Sequence, residues 1–157
     1  MSYAESTSVS VSRTIGAIQS ELQKRGVSEF GYMATESSGG FVFRHNMIPY
    51  RFTLRMPRQD ERRFTHTPTG MARAKSAAGQ LYEAESRRLW RALFLVIKAK
   101  LVAVEEGIVE FQDEFLAYAQ LPDGRTAGEV FASAIEQSAL SGKPLTLALP
   151  EPEAANG

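Results

Sequence analysis

The chain has 157 residues, 43% hydrophobic and 23% charged, which is enough for one domain with a real hydrophobic core. It has no cysteine, which excludes disulfides, thiol nucleophiles and thiolate metal sites. Its formal net charge of zero hides a segregation: residues 44–100 carry thirteen Lys/Arg against four Asp/Glu, and residues 101–157 carry two against ten.

Met1–Val11 is polar and Ser/Thr-rich, without the basic start and apolar stretch of a signal peptide, and reads as a disordered leader. Ser12–Arg25 has the spacing of a short helix. Ile15, Ile18 and Leu22 share one face, Ser12 or Ser10 can cap the start, and Gly26 stands where a helix stops.

Glu29–Met56 predicts three strands. Phe30 and Tyr32 alternate with smaller residues, Glu36–Gly40 reads as a turn, and Phe41, Phe43 and His45 alternate with Val42, Arg44 and Asn46. A tight turn near Asn46–Pro49 leads to Tyr50, Phe52, Leu54 and Met56, alternating with Arg51, Thr53 and Arg55. Period two puts the aromatic residues on the core face and the arginines on the other.

Pro57–Gly79 reads as a long basic loop with Arg58, Arg62, Arg63, His66, Arg73 and Lys75. A loop of that length inside a small domain points to function or mobility.

Ala77–Glu106 predicts one helix of about 45 Å. Trp90, Leu93, Phe94, Ile97, Leu101 and Val104 form its core stripe, and Arg87, Arg88, Arg91 and Lys98 lie opposite. Leu95 and Val102 fall on that charged side, so the helix wants cover on two faces, the second from another subunit. Its most apolar part, Ala92–Val104, is broken by Lys98 and Lys100 and is too short and too charged to span a bilayer. Gly107 then interrupts the helix. Ile108–Ala119 spaces Phe111, Phe115 and Tyr118 helically, with Phe115–Gln120 open to an extended reading. Pro122–Gly124 is a turn, and Thr126 with Glu129 is a capping box before a last helix, Ala127–Leu140, ended by Gly142 and Pro144. Pro150–Gly157 reads as a disordered tail.

The order α-β-β-β-α-α predicts a single α+β domain over residues 12–149: a three-stranded antiparallel sheet packed on one long helix with shorter flanking helices. Its first five elements are similar in order to the double-stranded-RNA-binding domain, with Ala72-Arg73-Ala74-Lys75 where that family has its basic helix start. The long helix is about twice that family's length, and the family's other contact motifs are absent.

The catalytic inventory is thin. His45 and His66 are the two histidines, and they lie far apart in sequence. His45 reads as a strand residue; His66, between Thr65 and Thr67, can contact a phosphate or serve as a base. Gly39-Gly40 is followed by Phe rather than Lys-Ser or Lys-Thr, so it is no phosphate cradle. Glu106, Glu110 and Glu114 would stand at i, i+4, i+8 and could hold Mg²⁺ if the helix ran through Gly107. A solvated acidic face is the commoner meaning. No cofactor and no metal site is expected.

The basic surface is the better candidate. Arg44, Arg51 and Arg55 would share an exposed sheet face; the loop adds Arg58, Arg62, Arg63, His66, Arg73 and Lys75; the helix adds Arg87, Arg88 and Arg91. Ten of the thirteen basic residues are arginine, which suits bidentate contacts to phosphate or carboxylate. The bland alternative is that these residues pair with the acidic C-terminal third.

Two stretches also carry a resemblance. Arg51-Phe-Thr-Leu-Arg-Met-Pro57 with Arg62-Arg-Phe-Thr-His-Thr-Pro68, and Trp90–Leu101 with Leu121-Pro-Asp-Gly-Arg-Thr-Ala-Gly-Glu129, resemble a group of uncharacterised small bacteriophage and prophage proteins with no assigned activity. The resemblance implies a host-cytoplasmic setting and a role in handling DNA, blocking a host defence, or assembly. The expectation is therefore a non-catalytic protein binding nucleic acid or a phosphate-bearing ligand through its arginine-rich surface. The alternative is a counter-defence protein that captures a host defence protein or a nucleotide signal. A homo-oligomer is expected, with Leu95 and Val102 at its interface.

Overall fold

The computed structural model describes residues 8–35 and 37–147. The expected tail and most of the expected leader lie outside the described residues. Helix α1 spans Val11–Gln23, one residue earlier than the sequence suggested, because the Ser10 hydroxyl accepts from the Arg13 amide. Strands β1 (Glu29–Ala34), β2 (Ser38–His45) and β3 (Ile48–Arg55) form an antiparallel sheet in the order β1-β2-β3. A short helix α2 (Arg62–Thr65) precedes the long helix α3 (Lys75–Glu105). Helix α4 (Phe111–Phe115), a 3₁₀ turn (Leu116–Tyr118) and helix α5 (Ala127–Ser141) follow among the described residues. This is the α+β arrangement that the order of elements predicts.

Register explains the core. Phe41 faces Phe52 and Phe43 faces Tyr50 across β2 and β3, so four buried aromatic rings share one sheet face. Helices α1 and α3 cover that face with Ile15, Ile18 and Leu22 and with Trp90, Phe94, Ile97 and Leu101. Phe115 of α4 meets the Phe43 ring edge-on at 5.8 Å. Tyr32 departs from the expected pattern. It faces Phe41 in register but lies on the edge strand β1, beyond the helices, and is 62% exposed.

Two corrections concern turns. Gly39 and Gly40 belong to β2, not to the preceding turn. A Cβ on Gly39 would stand 3.0 Å from the Trp90 indole, and one on Gly40 would stand 2.2 Å from the Phe52 carbonyl oxygen. The strand needs glycine there for close approach, not for bending. The second hairpin closes on two residues, Asn46 and Met47, with φ of 48° and 70°, so Pro49 lies inside β3 opposite Arg44. Positive φ at both centres is the hairpin geometry that favours Asn-Gly, and Met47 occupies the glycine position. Replacing it, Met47→Gly, should raise stability by about 0.5–1 kcal/mol by relieving the left-handed backbone cost. Thermal unfolding would register this as a gain of a few degrees, and an unchanged or lower Tm would refute it.

Helix α3 ends at Gly107, whose φ is 69°, and does not continue into α4. The capping box before α5 forms as expected: the Thr126 hydroxyl accepts from the Glu129 amide, and the Thr126 amide donates to the Glu129 carboxylate at 2.8 Å. Phe115–Gln120 is not a strand. It makes the 3₁₀ turn and then two isolated bridges, Tyr50 with Ala119 and Gln120 with Thr126, which add a short fringe to the β3 edge.

Candidate nucleic-acid interface

The fold divides the expected arginines into those it consumes and those it leaves. Arg44 donates to Glu29 at 3.0 Å and Arg51 donates to both Glu129 oxygens at 3.0 and 3.2 Å. Arg58 grips Asp60 through two nitrogens, and Arg88 grips Glu85 likewise, with both distances 2.8 Å. Arg63 donates to Glu61 at 2.8 Å, stands 3.5 Å from Glu85, and lays its guanidinium over the Phe64 ring at 4.7 Å. The Arg88 hydrogen bond holds the Glu85 carboxyl below its ordinary range against the opposing effect of burial, and Arg63 adds to the lowering. Arg91 covers the Phe94 ring.

Pairing with the acidic C-terminal third does occur, in Arg51–Glu129 and Lys100–Glu114, but most partners are local. Asp60, Glu61 and Glu85, all inside the basic stretch, engage Arg58, Arg63 and Arg88. These pairs are part-exposed and contribute little to stability each.

Pro57–Ala74 is a built segment rather than an irregular loop, and α3 begins two residues earlier than the sequence suggested. Phe64 of α2 is buried against Tyr82 of α3, with ring centroids 5.9 Å apart. The chain then folds back on itself: His66 bridges Ala72, the Thr67 amide donates to the Met71 carbonyl at 2.8 Å, and the Arg73 amide donates to the Thr65 carbonyl at 2.7 Å. Arg73 is a structural residue. One of its guanidinium nitrogens donates to the carbonyls of Arg63, Phe64 and His66, satisfying the open C-terminal end of α2. His66 is half-buried with its Nδ1 2.9 Å from the Thr65 hydroxyl. His45, at the end of β2, stacks on Phe111 at 4.0 Å, and burial lowers its pKa.

Arg55, Arg62 and Lys75 are exposed and have no hydrogen-bonding or ionic partner among the described residues. All three belong to the stretch from the end of β3 to the first turn of α3. That turn has no side-chain cap: Ala74 stands at the N-cap, so the amides that open the 31-residue helix remain available beside Lys75. Residues 55–75 carry six Lys/Arg against two Asp/Glu. Arg87 is half-buried on α3, its Nε buried without a hydrogen-bond partner.

The other expected sites resolve differently. Glu106, Glu110 and Glu114 do not share a helix. Glu106 stands at the end of α3, Glu110 stands at the N-cap position of α4 without a side-chain cap bond, and Glu114 receives the Lys100 ammonium at 2.9 Å. Among the described residues no group of three His, Asp or Glu is placed to hold a metal ion. Leu95 is half-buried against its own core, whereas Val102 is 42% exposed. No helix among the described residues is long and apolar enough to cross a membrane.

One surface was missed from the sequence. A groove of about 620 Å³ runs between the 3₁₀ turn and α5, lined by Leu116, Tyr118, Phe131 and Ile135, with Lys100 and Glu114 at its rim. The sign was the apolar content of α5, whose helix buries only Ala127 and Val130. Comparison with known protein families, curated proteins and solved structures found no match for this chain.

Proposed function

We propose that this is a non-catalytic nucleic-acid-binding protein of the kind bacteriophages encode, acting in the host cytoplasm through the stretch Arg55–Lys75. The observation that carries this reading is the selective release of Arg55, Arg62 and Lys75. The fold neutralises most of the other arginines, yet leaves these three exposed in the stretch of chain that ends at the uncapped start of α3. Helix amides and free cations together favour phosphate oxygens. Contacts of this kind, to phosphate, position the nucleic-acid backbone without reading its sequence.

Binding of duplex DNA and duplex RNA, followed by fluorescence anisotropy, should weaken steeply between about 50 and 200 mM salt. Neutralising Arg62 and Lys75 together (Arg62→Ala with Lys75→Ala) should reduce the slope of log affinity against log salt by about 2. Folding stability should change by no more than about 0.5 kcal/mol, because both side chains are exposed. Arg63 is a poorer probe than the sequence suggested, since it covers Phe64 and pairs with two carboxylates. No binding at low salt, or an unaltered slope in the double variant, would overturn the proposal.

The groove beside α5 supports the second reading, capture of a host defence protein. It is apolar, and Ile135 within it is 57% exposed, as suits a protein partner better than a nucleotide.

A further inference from the structure

The outward face of α3 has an order that neither the core nor the nucleic-acid proposal uses. Trp90, Phe94, Ile97 and Leu101 point to the sheet. At 3.6 residues per turn, Ala92, Val96, Ala99, Val102 and Ala103 occupy the opposite side. None of the five is charged; Val96 is 45% and Val102 42% exposed. Alanines at positions 92, 99 and 103 keep the strip low enough for another helix backbone to approach.

The strip is bounded by charge of opposite sign at its two ends. Arg87, Arg88 and Arg91 precede it, with Glu85 on Arg88; Glu105, on Arg25, and Glu106 follow it. We infer that this face binds the same face of a second copy, antiparallel, about a two-fold axis near the level of Val96 and Ala99. That arrangement sets Val96 opposite the partner copy's Ala99 and Ala92 opposite its Ala103. It brings Arg88, which its own Glu85 also holds, beside the other copy's Glu106 at both ends, across about 27 Å of helix, so that Arg88 lies between two carboxylates. A parallel pair would stack Arg88 on Arg88 and Glu106 on Glu106. The charge order therefore selects a second copy in one orientation, and a chain of zero net charge satisfies it without any other partner. The inference is independent of the proposed binding function, because it uses neither Arg62 nor Lys75.

Light scattering at low salt should give twice the chain mass of 17.3 kDa. Val96→Asp should give the single-chain mass with an unchanged far-ultraviolet circular dichroism spectrum. If that variant fails to fold, Ala99→Arg, at an exposed position, serves the same purpose. Arg88→Glu alone and Glu106→Arg alone should each weaken dimerisation at least about tenfold, and the two together should restore it. A monomeric wild-type chain would overturn the inference. So would dimerisation that survives both Val96→Asp and Ala99→Arg, or single charge reversals that the double reversal does not rescue.

Discussion

Trp90→Ala should lower the stability of this domain by about 3–5 kcal/mol, the range for deleting a buried aromatic side chain. Trp90 is 2% exposed and lies at the centre of the face that α3 presents to the sheet. Its neighbour across the interface is the backbone of Gly39, where any Cβ would stand 3.0 Å from the indole. Removing the indole therefore empties a space that glycine cannot fill. The reciprocal variant Gly39→Ala should destabilise the wild type by forcing the ring aside, and should cost much less in the Trp90→Ala background. A double-mutant cycle would then show coupling of at least about 0.5 kcal/mol. Denaturant unfolding followed by circular dichroism is the appropriate measurement, since Trp90 is the single tryptophan and its loss removes that fluorescence. Additive effects of the two substitutions would show that the strand and helix do not meet as described.

Arg73→Ala should loosen the segment between β3 and α3 and weaken nucleic-acid binding, although Arg73 need not touch the ligand. Its guanidinium donates to carbonyls at the end of α2, chiefly those of Arg63 and His66, and leaving such groups unpaired costs about 1–3 kcal/mol. Because the segment hangs on Phe64 and this one side chain, the cost should appear locally. Amide exchange at Thr67, Gly70 and Arg73 should accelerate, while amides of β2 and β3 stay protected. Arg73→Lys keeps several donors on one nitrogen and should restore part of the protection. Unchanged exchange at these amides in Arg73→Ala would sink the assignment. Weaker binding with unchanged exchange would place Arg73 among the phosphate contacts instead.

The sequence by itself determined the three strands, the long helix and the first and last helices, in their order, but not the short helix α2. Period-two alternation over residues 41–56 and period-3.6 spacing over residues 90–104 are properties of the chain, and they survive folding because each has one face to bury. The capping box at Thr126 and Glu129 and the helix stop at Gly107 were legible for the same reason: they are local geometries.

Only the tertiary structure decided the fate of the charges. Arginines that look equivalent in sequence part according to whether a carboxylate lies within reach, and that depends on contacts between distant segments, such as Arg51 with Glu129. Arg73 looked like a surface cation and proved to be the fastening of its own segment, because the carbonyls it serves converge only when the chain folds back at His66 and Ala72. Gly39 and Gly40 looked like a turn for the same reason in reverse. Glycine in a sequence signals missing side-chain volume, and only the packing of Trp90 and Phe52 shows that the volume was needed for an approach rather than a bend.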